Sequence, residues 1–227
     1  MIPIVLGTGA AAFAIALVGT AAMIRFGRAV GALDTAPIGG QIKDTARAVP
    51  NTGGVAIAGA VWVPMLAGLL AASFMDPAML PSWAGGVREV WPLLRERLPL
   101  GWGMLGAVLV IHAIGLYDDR RPLGAWSKLV VMLAAAALFP LALETRLLTM
   151  LDAHVGGSWL SILVTIVWIT LVINAMNFID NTDGLSAGVA AIAGGLFLVA
   201  ALMNAQWFIG VTLALMVGGC LGFLVFN

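Results

Sequence analysis

Seven apolar stretches, each about long enough to cross a lipid bilayer, constrain the fold of this chain most. They cover residues 3–24, 53–74, 100–117, 128–144, 158–176, 187–203 and 207–226. A membrane helix needs about 20 predominantly apolar residues. Lipid also offers the backbone no hydrogen-bond partners, so each segment must satisfy its own groups. We therefore predict an all-α fold, a polytopic transmembrane helix bundle of about seven helices that forms one membrane domain over 1–227.

Composition agrees with a membrane protein and excludes several other classes. Hydrophobic residues make up 62% of the chain and charged residues 10%, whereas roughly a quarter of the residues in a soluble domain are charged. The formal net charge is zero, and no basic cluster points to a nucleic-acid partner. The single cysteine, Cys220, excludes an internal disulfide.

The basic residues predict which ends of the helices face the cytoplasm. The connections after the first, third and fifth stretches hold seven: Arg25, Arg28, Lys43, Arg47, Arg120, Arg121 and, at the edge, Lys128. The other connections hold four: Arg88, Arg95, Arg97 and Arg146. Because Lys and Arg are enriched on the cytoplasmic side, we expect the N-terminus outside and the C-terminus in the cytoplasm. The protein would be a multi-pass protein of the inner (plasma) membrane.

Residues 76–99 are too charged to span the membrane. Val90, Trp91, Leu94 and Leu98 recur there at helical spacing beside Arg and Glu. This pattern predicts a short amphipathic helix that lies on the outer surface. A solvated loop is the alternative.

A polar segment, Asn174 to Gly188, separates the fifth and sixth apolar stretches. It contains Asn174, Asn177, Asp180, Asn181 and Asp183, and it contains no Lys or Arg. The first three are spaced by three residues, which places them on one face of a helix, and the Asn-Thr-Asp-Gly run predicts the helix end. A helix end that opens into an oxygen-rich loop could hold Mg²⁺. A polar loop without a ligand is the alternative.

Two adjacent carboxylates, Asp118 and Asp119, end the third apolar stretch. They repel each other unless a positive charge lies nearby, and a divalent metal would relieve that repulsion and also hold phosphates. One carboxylate could bind the metal while the other acts as a base. Alternatively, Arg120 and Arg121 only neutralise the pair. Lys128 can reach back to this loop, and Lys43 and Arg47 extend the basic rim.

The three polar segments are predicted to open on the same side of the membrane. Two apolar stretches separate 34–54 from 115–128, and two more separate 115–128 from 174–188. An even number of crossings returns the chain to the same face. The sequence therefore predicts a shared site on the cytoplasmic face.

These motifs resemble those of a known family. GLYDDRRPLGAWSKL resembles the Asp-Asp motif with its downstream Lys, and NAMNFIDNTDGLSAG the second Asp motif, of the polyprenyl-phosphate N-acetylhexosamine-1-phosphate transferases, glycosyltransferase family 4. RAVPNTGGVAI resembles the first cytoplasmic motif of that family. GCLGFLVFN resembles the stretch that precedes a later Asp-containing loop.

The resemblance implies a reaction and a set of roles. Such enzymes transfer a phospho-N-acetylhexosamine from a UDP-sugar to a polyprenyl phosphate such as undecaprenyl phosphate, releasing UMP, in cell-wall or surface polysaccharide synthesis. They need Mg²⁺, with Mn²⁺ as the alternative. By position, the catalytic residues would be Asp118 and Asp119, the substrate-binding residues Asn174, Asn177, Lys128, Lys43, Arg47 and Arg120, and the metal ligands Asp183, Asp180 and Asp119.

The chain also departs from the family pattern. Asn181 stands where the family usually has Gly, and the sequence stops at Asn227, before the family's C-terminal helices. We therefore expect a truncated transferase domain, with little activity for residues 1–227 alone. N-acetylglucosamine fits the Asp-Asp-Arg motif better than N-acetylmuramoyl-pentapeptide, but the sugar stays open, as does a homodimer.

Two other functions stay open from the sequence. Acidic residues between membrane helices can line the path of a cation transporter or channel. An inactive membrane remnant of the transferase is the second alternative. A transporter predicts acids at mid-membrane depth, whereas here they cluster at one face.

Overall fold

The structure, a computed structural model, describes residues 1–29, 53–119, 121–180 and 184–227. Within these ranges there is no β-strand, and seven helices are long and apolar enough to cross a membrane. Those seven are α1 (Ile2–Ala29), α2 (Gly53–Phe74), α4 (Leu98–Asp118), α5 (Ala125–Ala142), α7 (Trp159–Ile179), α8 (Leu185–Met203) and α9 (Trp207–Leu224). The shorter helices are α3 (Gly85–Glu96) and α6 (Asp152–Val155).

The predicted all-α fold and its seven apolar stretches are confirmed. The bounds of α2 match the prediction, while the other spanning helices differ by up to a few residues at their ends. Lys128 was predicted to begin its helix, but α5 starts three residues earlier, at Ala125. The orientation of the termini and the division into one membrane domain stay predictions.

The chain forms two compact units, Met1–Ala67 with Asp183–Asn227, and Gly68–Thr182. In the first unit, α9 packs along both α1 and α8. Close approach to α1 is possible because glycines line the α9 side of the contact. A Cβ atom built on Gly218 would overlap the backbone oxygen of Gly9, and one on Gly222 would overlap that of Phe13. Small residues allow helix backbones to approach closely in lipid, where dispersion rather than water exclusion drives association.

In the second unit, α5 packs against both α4 and α7, and the amphipathic helix α3 holds the end of α2. Trp91 of α3 is buried. The Arg95 guanidinium donates hydrogen bonds to the carbonyl oxygens of Ala72 and Met75, both at 3.1 Å. It thereby satisfies carbonyls at the C-terminus of α2 that have no partner within the helix. The helix predicted within 76–99 is confirmed in place of a solvated loop, while its position on the outer surface stays a prediction.

A polar cluster fixes the connection between α5 and α7. Arg146 Nη1 lies 2.6 Å from Asp152 Oδ2 and donates to Ser161 Oγ at 2.8 Å. The backbone N–H of Leu147 donates to Thr165 Oγ1 at 2.9 Å. Ser161 and Thr165 are buried on α7, where their hydroxyls also donate to the carbonyl oxygens of Ser158 and Ser161, so both act as donor and acceptor. The cluster joins a segment without regular structure to the start of a membrane helix.

We expect Arg146→Gln to lower the free energy of unfolding by about 1–3 kcal/mol, because it leaves the Asp152 carboxylate and Ser161 hydroxyl short of a donor. Thermal unfolding in detergent, followed by tryptophan fluorescence, measures the change. Arg97→Gln is the matched control, since Arg97 is an exposed arginine in the same unit. Equal melting temperatures for the two variants would show that the cluster adds no stability.

Candidate functional site

An ion pair at one end of α4 and α5 is the centre of the candidate site. Lys128 Nζ lies 2.6 Å from Asp118 Oδ2. The two side chains are 30% and 23% exposed, so the pair lies at the surface of its unit but is partly shielded from water. A charge pair with this geometry keeps the ammonium in a fixed position at the end of two apolar helices.

The connection between the helices determines this geometry. α4 ends at Asp118, and residues 121–124 return the chain to the start of α5 at Ala125. In this turn the backbone N–H of Leu123 donates to Asp118 Oδ1 at 2.7 Å. Both oxygens of Asp118 therefore accept a hydrogen bond, one from the backbone and one from Lys128. The spacing of the Asp-Asp motif does not predict the Leu123 contact, whereas the flanking Pro122 and Gly124 are residues typical of a tight turn.

The second carboxylate of the motif, Asp119, has a different setting. It follows the last residue of α4, its N–H donates to the Gly115 carbonyl at 3.0 Å, and its side chain is exposed. Asp118 is thus in contact with Lys128, whereas the side chain of Asp119 is more exposed than that of Asp118. The two roles predicted for the pair, metal ligand and base, stay predictions, and the structure shows that the two carboxylates have different surroundings.

The end of α7 carries three further predicted site residues. Asn174 and Asn177 lie within the helix, three residues apart and therefore on neighbouring positions of one face. Asp180 follows the last helical residue, and its N–H donates to the Met176 carbonyl at 3.2 Å. All three side chains are exposed. Amide groups without hydrogen-bond partners are costly in lipid. Two exposed asparagines on a membrane-length helix therefore indicate that this helix face contacts a polar group.

Several predicted residues lie outside the described ranges. These are Lys43, Arg47, Arg120, Asn181 and Asp183. Their predicted roles stay predictions, and so does the shared site over the three polar segments. Among the residues that the structure describes, Asp118 and Lys128 are predicted site residues that form an ion pair.

The donor chemistry suits a hard divalent cation. Asp119 and Asp180 offer carboxylate oxygens and Asn174 and Asn177 offer amide oxygens, the ligand types that Mg²⁺ prefers. No group of three acidic, His or Cys side chains that could hold a metal occurs within 1–29, 53–119, 121–180 and 184–227. The predicted ligand set includes Asp183, which is outside those ranges. What the described residues supply is an ammonium anchored by Asp118 and exposed oxygen donors at the C-terminal ends of α4 and α7. Both kinds of group suit a phosphorylated ligand.

The chain is similar in sequence to known proteins. A family model described as Glycosyl transferase family 4 matches residues 101–227. The phospho-N-acetylmuramoyl-pentapeptide-transferase of Desulforudis audaxviator is 35% identical over 69% of this chain and 51% of its own. That of Lactiplantibacillus plantarum is 30% identical over 72% and 53%. The probable undecaprenyl-phosphate N-acetylglucosaminyl 1-phosphate transferase of Bacillus subtilis is 25% identical over 87% and 48%.

The matches cover a larger share of this chain than of the relatives. The chain spans about half the length of the curated relatives it matches. No solved structure matches it. The family match includes Asp118, Lys128 and the end of α7, so the site described above lies inside the matched region.

Proposed function

Because the chain belongs to glycosyl transferase family 4, we propose that the protein transfers a phospho-N-acetylhexosamine from a UDP-sugar to a polyprenyl phosphate and releases UMP. The observation that carries the proposal is the Lys128–Asp118 ion pair at the end of two apolar helices. It supports the proposal because a fixed positive charge at the end of two membrane-length helices would suit the phosphate of a membrane lipid. We further propose that this end faces the cytoplasm of an inner-membrane protein.

The reaction brings two anions together. An oxygen of the lipid phosphate attacks the phosphorus next to the sugar, the bond from that phosphorus to the UMP oxygen breaks, and UMP leaves with the electron pair. Protein catalysis of such a step consists mostly of positioning and charge stabilisation. Lys128 would bind a phosphate, and Asp118 would hold the ammonium in place through its 2.6 Å contact.

Asp119 is the better candidate for accepting a proton from the lipid phosphate. The Asp119 carboxylate is the more exposed of the two, and the oxygens of Asp118 accept hydrogen bonds that anchor Lys128 and the turn through Leu123. Mg²⁺ bound by Asp119, Asp180 and Asp183 would supply charge stabilisation for the phosphates. Asn174 and Asn177 would bind the nucleotide-sugar with their amides, and Lys43, Arg47 and Arg120 its phosphates.

An assay of UMP release tests the proposal. We expect the full-length protein to release UMP from UDP-N-acetylglucosamine or UDP-N-acetylmuramoyl-pentapeptide only with undecaprenyl phosphate and Mg²⁺. Removing the metal with EDTA should lower the rate at least about 100-fold, and Mn²⁺ should restore part of it. Release that continues in EDTA would contradict the metal requirement. No release from either donor would contradict the transferase itself.

A further inference from the structure

The connection between α2 and α4, residues 75–97, carries large apolar side chains that are exposed. Met79 is 75% exposed and Trp83 is 78% exposed. The connection follows the last residue of α2 directly and precedes the first residue of α4 directly. Because both of these helices are long and apolar enough to cross a membrane, the connection must stay close to the bilayer surface. It lies at the end of α4 opposite Asp118.

Two arginines of α3 hold the connection against the end of α2. Arg95 donates to two carbonyl oxygens at the C-terminus of α2, and Arg88, two turns earlier, donates to those of Pro77 and Leu80. Two turns cover about 10 Å along a helix axis, so α3 lies beside residues 72–80 over that length. The guanidinium donors used in these bonds are not available to lipid phosphates.

The connection also has no excess of positive charge. Its three arginines are matched in number by three acids, Asp76, Glu89 and Glu96. Attraction to anionic lipids grows with the number of basic residues in excess near the surface, so it contributes little here. Apolar contact remains as the means by which this connection can bind the membrane. Tryptophan suits that role, because its ring is apolar while its N–H can stay near water.

We propose that Met79 and Trp83 anchor the connection in the interfacial layer of the bilayer, by apolar contact and without a requirement for anionic lipid. Two side chains offer far less area than the roughly 1,000 Å² that a stable protein interface needs, which favours lipid over a second protein. Trp91, the other tryptophan of the connection, is buried within the protein and takes no part. The anchor does not depend on the proposed transferase function.

Fluorescence quenching at single cysteines tests the anchor in the full-length protein. Native cysteines such as Cys220 are replaced by Ala, and a fluorophore is attached at Trp83→Cys, at Met79→Cys or, as the control, at Glu89→Cys, an exposed acidic residue of α3. The proteins are reconstituted in phosphatidylcholine vesicles. We expect lipids brominated on their acyl chains to quench positions 79 and 83 at least about twofold more than position 89. Iodide on both sides of the membrane should show the opposite order.

Lipid charge and salt provide the second readout. Adding phosphatidylglycerol, or raising the salt concentration, should leave the quenching at positions 79 and 83 unchanged. Quenching by brominated lipid that needs phosphatidylglycerol, or that salt abolishes, would overturn the apolar anchor. Iodide quenching at 79 and 83 as strong as at 89 would place the connection in water, and protection from both quenchers would show that protein covers it. Either of these results would also overturn the anchor, whether or not the protein releases UMP.

Discussion

Replacing Lys128 with Gln is expected to lower the rate of UMP release by about 100- to 1,000-fold, the usual cost of removing a group that stabilises charge in the transition state. Asp118→Asn should lower the rate as well, because the amide no longer fixes the ammonium through the 2.6 Å contact. Since the two residues act as one unit, the double variant should be no slower than Lys128→Gln alone. Steady-state UMP release by the full-length protein measures all three.

A purely structural role for the ion pair would give a different result. The melting temperature would then fall in parallel with the rate, and the KM values for both substrates would change together. For the Lys128 and Asp118 variants we instead expect an unchanged melting temperature. Their KM for undecaprenyl phosphate should be higher than that of the wild-type protein. Glu96→Gln, an exposed carboxylate of the same unit, controls for loss of an acidic charge. If the double variant loses as much rate as the two single variants combined, Asp118 does not act through Lys128.

The second large effect is expected at Gly218. Gly218→Ala should lower the melting temperature by about 4–8 °C, since the added Cβ would overlap the Gly9 carbonyl oxygen and push α1 away from α9. The contact is between backbones, so no side-chain rearrangement can relieve it. Thermal unfolding of the purified protein in detergent, read by size-exclusion chromatography after heating, provides the measurement.

Gly7→Ala is the matched control for Gly218→Ala. Gly7 also lies in a membrane-length helix of the first unit, but a Cβ there meets no atom within 4 Å. Alanine loses less backbone freedom than glycine on folding, so this change should leave the melting temperature unchanged or slightly higher. If the two substitutions lower the melting temperature equally, close packing of α9 on α1 is not what makes Gly218 sensitive.

The sequence predicted the spanning helices well because their signal is local. A run of about 20 apolar residues is sufficient to indicate a membrane helix, whatever it packs against. The amphipathic helix α3 was predicted from four residues at helical spacing, of which Val90, Trp91 and Leu94 lie in α3 and Trp91 is buried, whereas Leu98 begins α4. Helix ends were less predictable, since Lys128 lies a turn inside α5 rather than at its start.

The site was predicted only in part, because its geometry depends on side-chain and turn contacts that the spacing of residues along the sequence does not predict. The Asp-Asp motif indicated charge at the end of α4, yet it did not distinguish Asp118 from Asp119. That distinction comes from the turn through Leu123 and from the reach of Lys128. The apolar cleft between α4 and α5, lined by Gly106 and Ala107 on α4 and by Ala134 and Ala135 on α5, was not predicted, since a single sequence does not reveal which helix faces meet.

The packing of α9 on α1 has a consequence for how the protein is made. Gly9 and Gly218 are separated by more than 200 residues of chain. At a translation rate of 5–20 residues per second, roughly 10–40 s pass between the synthesis of α1 and that of its partner helix. During this interval the small-residue face of α1 is covered by lipid or by other helices. The contact between α1 and α9 therefore forms only after the residues between them have been synthesised.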